Sequence, residues 1–195
     1  MKAIAIIQDE HRAITAVVEA LRHIVAEIDA GRMTPDHALL GALFDYIEQF
    51  PERLHHPKED DFLFARLRVR RPDVAPLLDS LTHEHEVGRE RFAELQAAWE
   101  RFRADPGALK PFVERVERYA QSQWLHMRRE EDDVLPLARQ ALTTEDGDAI
   151  DAAFASNDDP VVGIPASRAF RELFRRLVAI VPPPYGVGPE PTAQR

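Results

Sequence analysis

The sequence predicts an all-α protein, an up-down-up-down four-helix bundle with a C-terminal helical extension, and three observations carry that expectation. Apolar residues recur at three- and four-residue spacing over long stretches, no run of alternating β-branched residues marks a strand, and glycine is scarce at 8 of 195 residues. In the first segment Ile7, Ile14, Val17, Val18, Leu21, Ile24, Val25 and Ile28 form one stripe among charged residues, and Gly31 follows as a stop. Helix 1 is therefore expected from roughly residue 8 to residue 30. Thr34-Pro35-Asp36 offers an N-cap with proline at the first helical position. The second helix then runs through Leu39, Leu40, Leu43, Phe44, Ile47, Phe62, Leu63 and Leu67, with bends expected at Pro51 and Pro57. A third helix starts after Arg71-Pro72-Asp73 and Pro76 and stops at Asp105-Pro106-Gly107, and a fourth opens near Pro111, kinks at Pro136 and fades near Leu142.

Four such helices joined by short connections pack most economically as a bundle, assigned here to residues 1–142. Residues 143–195 form the extension: a short acidic helix over Asp146–Ala155, a turn-rich stretch over Ser156–Pro165, an amphipathic helix over Ala166–Val181 and a Pro/Gly-rich tail.

Composition removes several function classes. The absence of cysteine excludes disulfides, zinc-thiolate sites, iron-sulfur clusters and a thiol nucleophile, so any metal must be held by nitrogen and oxygen. No stretch approaches the roughly 18 apolar residues of a membrane span, and Ala3–Ile7 is too short for a signal-peptide core, so a cytoplasmic location is expected. With 34 acidic against 25 basic residues and a net charge of −9, the balance argues against a phosphate-backbone partner, and no nucleic-acid ligand is expected.

The eight histidines are the informative residues. Four have a carboxylate four positions later, on the same helical face: His23 with Glu27, His55 with Glu59, His56 with Asp60, and His126 with Glu130. About one or two such pairs arise by chance at this composition, and surface pairs of this kind are common helix supports. A repeat across the whole chain raises the signal. Glu10-His11 is followed 44 residues after its histidine by His55 with Glu59, and Glu84-His85 is followed 41 residues after its histidine by His126 with Glu130. The text Glu59-Asp60-Asp61-Phe62-Leu63 also parallels Glu130-Glu131-Asp132-Asp133-Val134. Two helical hairpins packed about a pseudo-twofold axis would bring together His11, His55, Glu59, His85, His126 and Glu130. Four imidazoles and two carboxylates suit two borderline ions, each with two histidines and both glutamates bridging, with iron first, manganese second and zinc as an adventitious occupant. The Glu-x-x-His repeat of ferritin-like di-iron bundles occurs once only, at Glu52–His55, and the His-Glu-x-x-His of metalloproteases is absent.

These residues, in the segments Asp9-Glu10-His11-Arg12, Leu54-His55-His56-Pro57-Lys58-Glu59-Asp60, Glu84-His85-Glu86 and His126-Met127-Arg128-Arg129-Glu130-Glu131, resemble the hemerythrin-like family, the HHE cation-binding domain, over residues 9–131. Asn157-Asp158-Asp159-Pro160 and Pro183-Pro184-Tyr185-Gly186 are similar to the extension of a bacterial subgroup. The resemblance implies a non-haem di-iron centre on the six residues and a small ligand such as oxygen, nitric oxide or peroxide. Oxygen-carrying members have a fifth histidine one turn after the third-helix ligand, where this chain has Arg89, which implies a further open coordination position or a substitute ligand. Iron-sulfur repair members carry a cysteine-containing module that this chain lacks.

Several readings stay open in the sequence. His56 with Asp60 has the same spacing as His55 with Glu59, and His55 is preferred because its partner is Glu in both halves. His23 either lines the core or pairs with Glu27, while His37 and His83 are expected in solvent. Tyr119 and Glu48 are each seven residues before a ligand, which places them near the metals or in ordinary helix packing. A reactive di-iron centre, a metal-stabilised scaffold or iron reservoir, and a metal-free interaction module all fit the pattern. No residue names a redox partner.

Overall fold

The structure, a computed structural model, describes residues 1–155 and, beyond them, only Ala179. The turn-rich segment, the helix expected over Ala166–Val181 and the tail otherwise lie outside the described residues. The fold is a helical bundle without strands among the described residues. The first long helix is α1 (Ala3–Asp29). The second is a continuous rod of α2 (His37–Ile47), a π-helical stretch Glu48–His55, α3 (His56–Lys58), a second π stretch Glu59–Phe64, and α4 (Ala65–Arg70). The third is α5 (Ala75–Ala104). The fourth consists of α6 (Leu109–Arg129), a π stretch Glu130–Val134 and α7 (Leu135–Ala141), after which comes α8 (Thr144–Ala155). None of these helices is long and apolar enough to cross a membrane.

Neighbouring helices run in opposite directions, as their paired residues show. Arg22 with Glu117 and Asp29 with Lys110 join α1 to α6, and Glu94 with Arg115 and Phe102 with Phe112 join α5 to α6. Phe44 with Trp99 and Arg68 with Asp79 join the second helix to α5.

Helix boundaries differ from the sequence expectation where a distant residue supplies the cap. Helix 1 starts at Ala3 rather than near residue 8, because Ala3 N–H donates to Asp151 of α8 at 2.6 Å and so satisfies an orphan donor of the first turn. The cap of α2 is Asp36, which accepts from Leu39 N–H at 2.9 Å; Pro35 lies outside the helix. Gly31 ends the turn after α1 with φ of 70°, the left-handed region that glycine enters without penalty. Pro111 sits within the first turn of α6, where its missing N–H has no helical partner to lose. Pro51 and Pro57 do not interrupt the second helix. Pro51 lies inside the first π stretch, and Pro57 sits in the short α3 between two π stretches; the third π stretch ends two residues before Pro136.

The apolar core is split along the bundle. One cluster contains Val17, Leu21, Ile24, Leu43, Phe44, Phe92, Leu95, Phe112 and Val116, and the other contains Ile4, Ile7, Phe64, Leu67, Leu78, Leu81, Leu135, Ile150 and Phe154. The sequence positions between the two, around residues 10–11, 52–60, 85 and 123–130, carry the buried polar groups other than Asp146. Phe44 stacks on Trp99 at a centroid distance of 4.7 Å and also meets Phe92 and Phe112, so it ties three helices together. Phe44→Ala is expected to destabilise the protein by about 3–5 kcal/mol, measured by urea unfolding, through lost burial and a residual cavity.

Candidate metal centre

Each of the four long helices places polar side chains at one level of the bundle. α1 contributes Glu10 and His11, the second helix Glu52, His55, His56, Glu59 and Asp60, α5 Glu84 and His85, and the fourth helix Tyr119, Gln123, His126, Glu130 and Glu131. The π stretches begin at Glu59 and Glu130 and end at His55, so the wider helical turn occurs where ligand-type residues crowd together.

All six residues singled out in the sequence meet at this level, and all are buried. Their arrangement has two ends joined by the glutamates. At one end, His11 Nε2 lies 3.6 Å from Glu59 Oε1 and 3.4 Å from Glu130 Oε2, and His55 Nε2 lies 3.4 Å from Glu59 Oε1. At the other, His85 Nε2 lies 3.7 Å from Glu59 Oε2 and 3.6 Å from Glu130 Oε1, and His126 Nε2 lies 3.3 Å from Glu130 Oε1. Each carboxylate thus turns one oxygen toward each histidine pair.

Every one of these imidazoles is held from behind by a second carboxylate. His11 Nδ1 faces Glu131 at 3.0 Å, His55 Nδ1 faces Glu10 at 2.8 Å, His85 Nδ1 faces Asp60 at 2.9 Å, and His126 Nδ1 faces Glu84 at 3.0 Å. A carboxylate on Nδ1 fixes the proton there and leaves the Nε2 lone pair aimed inward, the arrangement that orients metal-binding histidines. Thr82 in turn donates to Asp60 at 2.6 Å, and Arg129 pairs with Glu84. The repeat extends to these outer groups. Glu10 and Glu84 each precede the first histidine of a hairpin and reach its second, while Asp60 and Glu131 follow the glutamates and reach across to the other hairpin.

Electrostatics at the two ends are coupled through the glutamates. Burial works against a charged imidazole, yet the hydrogen bond to Asp60 and the nearby carboxylate of Glu130 bring His85 up to about 10, and the charge of Glu130 with the Glu84 hydrogen bond brings His126 up to about 9. His11 is likewise raised against burial by Glu130, Glu131 and Glu59. Burial keeps His55 well below the ordinary range. Burial and the neighbouring Glu130 charge push Glu59 up to about 7, whereas His126, His11 and His85 hold Glu130 well below the usual carboxylate range despite its burial.

The chemistry of the donor set fits a metal. His11 Nε2, His55 Nε2 and both carboxylate oxygens of Glu59 and Glu130 are buried without hydrogen-bond partners. At about 1–3 kcal/mol each, six such atoms would offset most of a stability of about 5–15 kcal/mol. His85 Nε2 and His126 Nε2 stand 2.8 Å apart, and two bonds of about 2.0–2.1 Å at right angles to one ion place nitrogens at about 2.9 Å. Three groups have ligand atoms within 4.8 Å of one another: His11, His55 and Glu59; Glu59, His85, His126 and Glu130; and His56, His85 and His126.

His55 faces Glu59, the partner preferred for it in the sequence, and His56 is also buried at this level, beside His85 and His126, where a π stretch ends at His55. His37 is half-buried against Phe102 rather than solvated, His83 is exposed and paired with Glu86, and His23 is half-buried away from the centre. Glu48 pairs with Arg53, and Tyr119 is buried with its hydroxyl donating to Glu52 at 3.0 Å. The outer carboxylates were not assigned a role in the sequence, although the doublets Glu10-His11, Glu59-Asp60, Glu84-His85 and Glu130-Glu131 displayed them. Glu52 gave no usable signal.

A cleft of about 480 Å³ leads to this level from the surface, from Arg128, Asp132 and Asp133 inward to His56, His85 and His126, past Gly88 and Gln123. Arg89, one turn after His85, points to solvent and contributes nothing to the centre.

A helical bundle whose buried level is lined with imidazoles and carboxylates defines a cation-binding class of protein. The chain matches the Hemerythrin HHE cation binding domain family over residues 2–138 and belongs to that family. No curated protein and no solved structure gives a match.

Proposed function

We propose that this chain is a non-haem di-iron protein that binds or reacts with a small ligand, oxygen, nitric oxide or peroxide, at its metal centre. His11 and His55 would hold one ion, His85 and His126 the other, with Glu59 and Glu130 shared between them. The observation that carries this reading is the split orientation of the two glutamates, each with one oxygen toward each histidine pair. A single ion would need only one face of each carboxylate. Nitrogen and oxygen donors without thiolate favour iron over softer ions, with manganese or zinc as alternative occupants.

When bound, the iron pair supplies Lewis acidity and redox change at a coordination position that protein does not fill. The residues of the chain do the rest. Glu131, Glu10, Asp60 and Glu84 hold the Nδ1 protons and so fix the direction of each Nε2. Apolar clusters flank the centre on both sides along the bundle, and the cleft of about 480 Å³ that reaches His56, His85 and His126 offers a small ligand a way in.

Anaerobic reconstitution with ferrous iron, metal counting, and mixing in turn with oxygen, peroxide and nitric oxide test the proposal. Two irons per chain and a change of visible spectrum with at least one of the three are expected. Fewer than one iron per chain would overturn the metal centre, and two irons with a spectrum unmoved by all three would leave a scaffold or iron reservoir instead.

A further inference from the structure

The two hairpins repeat closely at the centre, with Glu10, His11, His55, Glu59 and Asp60 answered by Glu84, His85, His126, Glu130 and Glu131. They differ at one buried pair. In this register His56 is answered by Met127, and Glu52 by Gln123. Met127 lies in the apolar cluster, where its sulfur meets Thr15, so that half offers no fifth donor. His56 instead turns toward the opposite hairpin. Its ring stacks on His85 at a centroid distance of 4.4 Å and meets His126 edge-on at 5.6 Å.

Building on the di-iron reading, we infer that His56 is a third imidazole ligand to the ion held by His85 and His126, which makes the centre asymmetric, with three histidines at the cleft end and two at the other. Three observations converge on this. A ring nitrogen of His56 lies within 4.8 Å of ring nitrogens of both His85 and His126, a separation that small side-chain rotations bring to the roughly 3–4 Å that two bonds of about 2.1 Å to one ion require. His56 is buried with its Nδ1 unpartnered, and Glu52 Oε2, itself buried and unpartnered, lies 3.7 Å from that nitrogen. This is the same pairing of imidazole with outer carboxylate that the other four histidines make, in a looser form. Tyr119 completes the set by donating to the other oxygen of Glu52, which holds the carboxylate beside His56. A histidine present only for packing would need neither partner, and Met127 shows that an apolar side chain serves at the equivalent position.

The asymmetry has a consequence for ligand entry. The cleft ends on the three-histidine side, so an entering ligand passes His56 before it reaches the shared glutamates. Glu52 and Tyr119 are then positioning residues for a ligand.

The test uses the full chain and ferrous iron under anaerobic conditions. His56→Met copies the residue found in the other hairpin, and His56→Gln keeps a polar side chain as a second variant. Both are expected to weaken one of the two ions by more than the roughly 10–100-fold typical of losing an outer partner, with the other ion unaffected. X-ray absorption at the iron edge should show the mean number of imidazoles per iron falling from about 2.5 to about 2 in samples loaded at saturating iron, because five histidines become four. Glu52→Gln and Tyr119→Phe should keep that number while weakening the same ion to a smaller degree. If the unaltered chain binds two irons and the His56 variants match it in affinity and imidazole number, this inference is overturned and the di-iron reading stands. If the unaltered chain fails to bind two irons, both fall together.

Discussion

Glu130→Gln is expected to leave the protein with less than one iron per chain after reconstitution. Glu130 turns Oε1 toward His85 and His126 and Oε2 toward His11, so it faces three of the imidazoles from both ends of the centre. Glutamine preserves the volume and opens no cavity, but it offers one oxygen in place of two and no charge. The loss in affinity should exceed the 10–100-fold typical of an outer partner, and Glu131→Gln, which touches only His11 Nδ1, supplies that smaller effect as a control. The metal-free variant should also be destabilised, by about 3–5 kcal/mol, because His11, His85 and His126 lose the carboxylate that compensates their buried charge. Iron counting and urea unfolding of the metal-free forms measure the two effects separately. A Glu130→Gln protein that retains two irons would show that the glutamates are not shared between ions.

How much of this was legible in the sequence depended on whether the signal was local. Helix periodicity and the histidine-carboxylate spacing act within one or two turns, so the bundle and the six inner residues could be read directly from the chain. The first turn of α1 could not, since its cap is Asp151, 148 residues away. The sequence offers His56 only as an alternative to His55 for a related reason. A regular α-helix separates consecutive side chains by about 100°, which permits only one of them to face a narrow core. The π stretch ending at His55 relaxes that rule, and nothing in a periodicity count announces a π stretch beyond the prolines that accompany it. The outer carboxylates lay in plain view as doublets, but whether Glu10 serves His11 or His55 is decided by helix packing alone. Packing assigned it to His55.

Iron loading at neutral pH should release about two protons per chain from the histidines, with a further fraction from Glu59, since metal ligands must be deprotonated before they coordinate. The count follows from the environment of each ring. Without metal, His11, raised by its three glutamates, carries a proton at pH 7, and His85 and His126, at about 10 and about 9, share one proton between Nε2 atoms 2.8 Å apart, since two N–H donors cannot face each other at that distance. Burial leaves His55 and His56 neutral, the latter near 4, so neither has a proton to give. Glu59, near 7, is about half protonated there and becomes a further competitor as the pH falls. The sign is fixed by competition: protons occupy the same lone pairs as the metal, so affinity rises with pH through the neutral range and levels off only as the His85–His126 pair loses its shared proton, near 9 to 10. Through the neutral range the logarithm of the overall two-ion binding constant should climb by about two for each pH unit, the number of histidine protons displaced. Proton release into weakly buffered solution containing an indicator dye gives the count directly, and chelator competition at several pH values gives the slope. His11→Gln should lower both by about one, because it removes one protonated imidazole while leaving the Asp60–His85 and Glu84–His126 pairs in place. Release of less than one proton per chain would mean that the inward imidazoles are neutral before the metal arrives and that Glu59 and Glu130 alone carry the compensation for its charge.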